Sequence, residues 1–90
     1  MYLHIGQDVM IKKKDIIGIF DMDKTTISTR TRAFLREKER QGRVRMVTQE
    51  IPKSFVVCQH DDGETVYISL VSVGTLLRRM QQAGPADTIK

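Results

Sequence analysis

The segment between residues 55 and 70 constrains the fold more than any other part of the sequence. Residues 55–59 and 65–70 have the composition of strands, and in the second run apolar side chains alternate with polar or amphipathic ones. Between the two runs stands Asp61-Asp62-Gly63. Asp-Gly between strand-like runs is typical of a tight β-hairpin turn. The sequence therefore predicts an antiparallel strand pair here.

Similar patterns predict four more short strands. Three lie in the N-terminal part, at residues 2–5, 9–11 and 16–20, with a polar lysine turn before the third. The fourth covers residues 44–47, and a turn at Pro52-Lys53 separates it from the hairpin. The strands therefore form two blocks of three.

A helix is predicted after each block of strands. Ser28 is a suitable N-cap for a helix that runs to about Gln41, with Gly42 as its left-handed stop. Ser72 is predicted to cap the second helix, which Gly84-Pro85 would end. The apolar residues of this second helix recur with the period of a buried helix face; they are Val73, Leu76, Leu77 and Met80.

These elements predict a small α+β domain of the order β-β-β-α-β-β-β-α, with antiparallel sheet strands in two blocks and two helices. Residues 1–84 form one domain, and residues 85–90 are predicted to be a flexible tail. A chain of 90 residues with 40% hydrophobic and 29% charged residues has the composition of a globular protein near the lower size limit for an independent core. No apolar stretch approaches the roughly 18 residues of a membrane helix, and no signal peptide is visible. With its single cysteine, the chain suits the reducing cytoplasm.

Positive charge is concentrated in residues 30–45, RTRAFLREKERQGRVR. This stretch holds seven basic and two acidic side chains and so carries +5, whereas the whole chain carries +4. Such a concentration is expected of a surface that meets a polyanion. Nucleic acid is therefore the first partner to consider, before a membrane surface or an acidic protein.

The candidate binding residues lie mainly on the first helix. Arg32, Arg36 and Arg40 are spaced four apart and fall opposite an apolar face that contains Ile27, Thr31, Phe34 and Leu35. Further cations follow at Arg43 and Arg45, and Lys12-Lys13-Lys14 forms a separate group. The alternative is a solvated helix face, on which Arg36–Glu39 and Glu37–Arg40 form local ion pairs.

Catalysis and metal binding are each suggested by one weak pattern. The segment IIGIFDMDKT resembles the nucleophile motif of haloacid-dehalogenase-type phosphatases, with Asp21 as nucleophile and Asp23 as acid/base. Such enzymes need a parallel sheet of several βαβ units, for which this chain has no room, so we expect a non-enzyme. His4, Cys58 and His60 match no zinc spacing, so neither a metal nor a cofactor is expected. Cys58 is interpreted as a buried, inert thiol.

Three segments resemble the RemA/RemB family of bacterial regulators of extracellular matrix and biofilm genes, and within it the RemB branch. They are MYLHIG, DIIGIFD and PKSFVV, and the similarity covers roughly residues 1–83. The resemblance implies a cytoplasmic, DNA-binding transcription regulator. It further implies assembly into ring-shaped homo-oligomers, in which many weak contacts act together.

The resemblance also implies two places for DNA contacts. A basic residue just before the third strand falls at or beside Asp15, where Lys14 is the nearest cation. The arginine-rich loop expected before the VV strand reads Glu50-Ile51-Pro52-Lys53, which keeps Lys53 alone. This departure shifts the DNA contacts towards the arginine helix or weakens them.

The sequence thus leaves three functions open. The leading hypothesis is a non-enzymatic, oligomeric regulator that binds duplex DNA mainly through phosphates and uses no small-molecule substrate and no membrane. The alternatives are an oligomeric interaction module whose basic face docks an acidic protein, and an RNA-binding protein that uses the same surface.

Overall fold

The computed structural model describes residues 1–25 and 28–81 and contains six strands. The strands are β1 Tyr2–His4, β2 Met10–Lys12, β3 Ile16–Asp21, β4 Val44–Met46, β5 Ser54–His60 and β6 Gly63–Ser69. The helices are α1 Met22–Thr25, α2 Thr29–Arg40 and α3 Val73–Met80, with a 3-10 turn at Lys13–Asp15. The predicted α+β class and the coarse element order are confirmed. The short α1 and the 3-10 turn were not predicted as helices.

The predicted hairpin forms the centre of the main sheet. β5 and β6 pair antiparallel, and His60 faces Gly63 across the two-residue turn. Gly63 has a φ of +127°, a conformation that side chains rarely allow, which explains the glycine at this position. The sheet has the order β3-β5-β6-β4, so β3 and β4 are its edge strands.

The strand blocks are connected differently from the prediction. β1 and β2 form a two-stranded sheet of their own, whereas β3 pairs with β5 across the chain. β4 joins the sheet at the other edge of β6 and runs parallel to that strand, unlike the antiparallel pairs elsewhere in the sheet. Side-chain alternation predicts a strand but not its neighbour, so this parallel pair could not be read from the sequence.

Both faces of the main sheet are covered. On one face, β1, β2 and α3 bury the larger core, whose fully buried members include Leu3, Ile5 and Leu76. On the other face, α2 covers a smaller core around Phe55, Val57 and Val66. The arginine-rich helix and α3 therefore lie on opposite sides of the sheet.

The start of each long helix is confirmed. The Oγ atoms of Ser28 and Ser72 accept hydrogen bonds from the third residue of the following turn, as N-caps do. Gly42 follows the first helix with a φ of +72°, the predicted left-handed stop. α3 ends at Met80 with Gln81 as its C-cap, and the predicted stop at Gly84-Pro85 lies outside the described residues, as do Ile27 and the tail.

The predicted apolar face of α3 is wrong at one residue. Leu76 is completely buried, but Leu77 keeps 47% of its surface exposed. One residue corresponds to 100° of rotation, so a helix that packs on a sheet along a narrow line buries only one of two neighbours. Leu76 is therefore the residue that anchors α3.

Candidate nucleic-acid interface

α2 is an external helix that carries the arginines on its solvent side. None of its residues is fully buried, and Phe34 and Leu35 are partly buried where they pack against the smaller core. Arg32, Arg36 and Arg40 are all exposed. The helix thus presents three guanidinium groups over two turns, a rise of about 12 Å.

Arg40 takes part in a local ion pair. Its Nε donates to Glu37 Oε1 at 3.1 Å, and its Nη2 donates to the other carboxylate oxygen. Hydrogen bonds from Arg40 and Gln41 lower the pKa of the Glu37 carboxyl. Both side chains are largely exposed, and ion pairs of this kind contribute little to stability. The pair is therefore a weak competitor for any anion that approaches Arg40.

Arg32 and Arg36 border a trough between α2 and β4. Its volume is about 360 Å³, and Leu35, Val44 and Ile68 form its apolar floor. These two arginines thus lie towards the sheet edge, whereas the helical wheel placed them directly opposite the apolar face. The trough was not predicted, because only the pairing of β4 with β6 brings its floor together.

Arg43 is held by its own chain. Its two terminal nitrogens donate to the Asp62 carboxylate at 3.1 Å, and it also donates to the Glu64 carbonyl oxygen at 2.9 Å and to Thr65 Oγ1 at 3.0 Å. The hydrogen bond from Arg43 lowers the pKa of Asp62. Only 19% of the Arg43 side chain is exposed. Arg43 therefore braces the β5–β6 turn, a structural task that charge counting did not predict.

Two other basic side chains of residues 30–45, those of Arg45 and Lys38, differ in their contacts. Arg45 is exposed, and one of its nitrogens donates to the Gly42 carbonyl oxygen at 2.8 Å, which leaves most of its guanidinium towards solvent. Lys38 is 3.2 Å from a carboxylate oxygen of Glu64 and lies over the Phe34 ring. Arg45 is thus accessible to an anion, whereas Lys38 contributes to packing.

The two lysines implied by the family resemblance lie far apart within one chain. Lys14 lies in the 3-10 turn before β3, and Lys53 directly precedes β5. Because Ile16 pairs near Cys58 while Asp21 pairs with Ser54, the two lysines stand at opposite ends of the strand pair. The β3 strand between them spans about 17 Å. Both side chains are exposed, but a single chain does not combine them into one patch.

Cys58 and His60, considered above as metal-ligand candidates, have surroundings that fit a structural role. Burial, with the nearby charge of Asp15, raises the pKa of the Cys58 thiol to about 11, so the thiol is protonated and a poor nucleophile at neutral pH. His60 Nε2 lies 3.2 Å from the Tyr67 hydroxyl, and its Nδ1 lies 3.7 Å from Asp15. No group of three metal-ligating side chains occurs within residues 1–25 and 28–81. The His60 contacts were not predicted, since they depend on strand register.

Comparison with known proteins places this fold in a family. The model of the family described as "RemA-like: Extracellular matrix regulatory protein A-like" matches residues 2–80. The chain belongs to the RemA-like family. It is also 36% identical over 81 residues to Extracellular matrix regulatory protein B of Bacillus subtilis (strain 168), which covers 90% of this chain and 91% of that protein.

The family relationship fixes the broad functional class. The RemA-like family is a family of regulatory proteins, so this chain is a regulator, and the predicted kinship with the RemB branch is confirmed. Within the described part of the chain no helix is long and apolar enough to cross a membrane. The match covers the hairpin, α2 and both edge strands, and therefore includes every candidate contact described above.

Proposed function

We propose that this chain is a cytoplasmic, non-enzymatic transcription regulator of extracellular matrix genes that binds duplex DNA through phosphates. The observation that carries the proposal is the exposed arginine row of α2, formed by Arg32, Arg36 and Arg40. Arginine forks match phosphate oxygens in geometry, and phosphate contacts dominate the affinity of DNA-binding proteins. Arg45 adds a further accessible cation near the same edge of the sheet.

The binding mode is expected to favour shape over base sequence. α2 presents arginines at every fourth position, but a row of cations alone positions a protein on the backbone and does not read base edges. Only 6% of the sequence is aromatic, so an extended platform for stacking on single-stranded bases is disfavoured. Duplex DNA is therefore preferred over a single strand.

Assembly into a closed homo-oligomer is the second part of the proposal. Exposed apolar side chains lie on two separate surfaces: Ile17 and Phe20 on the edge strand β3, and Tyr2 and Met10 on the β1–β2 sheet. Two different surfaces on one chain give head-to-tail contacts, which close into a ring when the rotation permits. Repetition of the chain would also repeat each weak phosphate contact and so raise the overall affinity.

Light scattering after gel filtration tests this assembly. We expect a single species larger than a dimer at micromolar concentration, because an isolated chain leaves these apolar side chains in water. An Ile17→Lys variant, changed at an exposed position, should shift the distribution towards smaller species. A wild-type chain that remains a stable monomer would contradict the assembly and the avidity that depends on it.

The absence of phosphatase activity is a separate expectation. Asp21 ends β3 and Asp23 lies in α1, which reproduces the local order of a phosphatase motif. Hydrolysis of a generic phosphoester with magnesium should nevertheless remain at background for the wild type and for Asp21→Asn. Magnesium-dependent turnover that disappears in Asp21→Asn would show that the chain is an enzyme.

A further inference from the structure

The trough between α2 and β4 has two features that phosphate-dominated binding of duplex DNA does not explain. Its floor is apolar, formed by Leu35, Val44 and Ile68. Beside the floor, Met46 lies on the same face of β4, paired with Ile68, and is 59% exposed. Phosphates contact the arginines at the rim but gain nothing from apolar carbon, so the floor points to a ligand of another class.

The open edge of β4 supplies the second feature. Val66 N–H donates to the Arg43 carbonyl oxygen at 2.8 Å, and Val47 N–H donates to the Ile68 carbonyl oxygen at 2.9 Å. Backbone groups of alternate residues point to the same side of a strand, so the N–H and C=O groups of Val44 and Met46 point away from β6. There the Val44 carbonyl oxygen accepts a long hydrogen bond of 3.5 Å from Arg45 Nη1. An extended peptide could pair with these groups by strand addition.

The charged side chains around the β4 edge determine whether an acidic or a basic peptide is favoured there. Arg32 and Arg36 border the trough on the α2 side, and among the described residues that line it Glu39 is the acidic one. Arg45 pairs with Tyr67 and therefore projects from the opposite face of β4. A strand added at this edge would have cations on both of its faces. Such an edge repels basic strands and favours acidic ones.

We propose that the β4 edge binds an extended acidic segment of a partner protein by strand addition. Apolar side chains at every second position lie on the trough floor, the acidic residues between them face Arg45, and an acidic residue at one end of the segment faces Arg32 and Arg36. The bound segment covers the arginine rim and therefore competes with DNA. The competition rests on the DNA binding proposed above, whereas the peptide contact does not.

The test uses the 90-residue chain and a fluorescein-labelled peptide, EEVEVEVEE, in an anisotropy titration. We expect saturable binding, no binding of KKVKVKVKK, and displacement of duplex DNA by the acidic peptide. A peptide that is N-methylated at one backbone amide facing β4 should bind about fivefold more weakly, because one lost backbone hydrogen bond removes about 1 kcal/mol. Equal affinity of the methylated and unmethylated peptides would reduce the contact to charge alone and overturn strand addition.

A Met46→Pro variant provides the matched change in the protein. The Met46 N–H faces away from the sheet, so proline removes a donor for the added strand without breaking the β4–β6 ladder. Peptide affinity should fall about fivefold while DNA affinity is unchanged. If the variant does not fold, the methylated peptide with wild-type protein decides the same question.

The remaining outcomes separate the two proposals. Failure of the acidic peptide to bind while DNA binds would overturn the strand-addition proposal alone. Peptide binding without DNA binding would overturn the proposed function alone. If the peptide dissociates the oligomer in light scattering, the trough is occupied by a second copy of the chain, and the proposal of a separate acidic partner is wrong.

Discussion

Replacing Leu76 by alanine is expected to lower the free energy of unfolding by about 2–5 kcal/mol. Leu76 is the completely buried residue of α3 and packs in the larger core with Leu3 and Ile5. Truncation removes apolar burial and leaves a cavity that the surrounding β1 and main sheet cannot fill. Since small domains have a total stability of about 5–15 kcal/mol, this loss is a large share of it.

Leu77→Ala is the matched control, because it makes the same chemical change one residue along the same helix. Leu77 is 47% exposed, so its truncation should cost less than about 1 kcal/mol. Urea denaturation at one fixed protein concentration measures both variants, since assembly makes stability depend on concentration. A Leu76→Ala cost below about 0.5 kcal/mol, or equal costs for the two variants, would contradict the assigned core.

Replacing Arg32, Arg36 and Arg40 together by glutamine is expected to weaken duplex DNA binding more than about tenfold and to flatten its salt dependence. Each phosphate contact releases condensed counterions, so the slope of log affinity against log salt should fall by roughly 0.9 for each contact removed. The effect should be similar for different DNA sequences, because phosphates carry no base information. Assembly and melting temperature should remain nearly unchanged, since all three side chains are exposed.

Two control variants test whether a loss of DNA binding in the triple replacement is specific to the arginine row of α2. Arg78→Gln removes an exposed arginine from α3, on the other side of the sheet, and should leave DNA affinity unchanged. Lys14→Gln with Lys53→Gln tests the surface that the family resemblance implies. If this lysine pair abolishes binding while the arginine triple binds normally, the contacts lie at the family positions. If both bind normally, the arginine row is only solvated, and a protein partner becomes the leading hypothesis.

Local patterns predicted the elements well because their causes are local. Ser28, Ser72 and Gly42 act through hydrogen bonds and backbone angles within one turn, so their roles can be read from neighbouring residues. The Asp61-Asp62-Gly63 turn is similarly self-contained. The arginine row of α2 was predictable for the same reason, since helical spacing alone brings it to one side.

The remaining features depend on contacts between distant parts of the chain. The parallel pairing of β4 with β6 joins two strands that β5 separates in the sequence, so no short sequence window contains both. That pairing creates the apolar trough and brings Arg43 to Asp62, so the trough and the structural role of Arg43 could not be predicted. The exposure of Leu77 likewise depends on how α3 rests on the sheet.

The salt dependence of binding by the wild-type chain is the most direct test of the central claim. Mobility shifts with duplex DNA, duplex RNA and single strands, each at two salt concentrations, measure both the preferred ligand and the number of phosphate contacts. We predict that duplex DNA binds most tightly and that its affinity falls steeply with added salt, to a similar degree for unrelated sequences. An affinity for duplex DNA that is absent, or that does not change with salt, would contradict phosphate-dominated DNA binding.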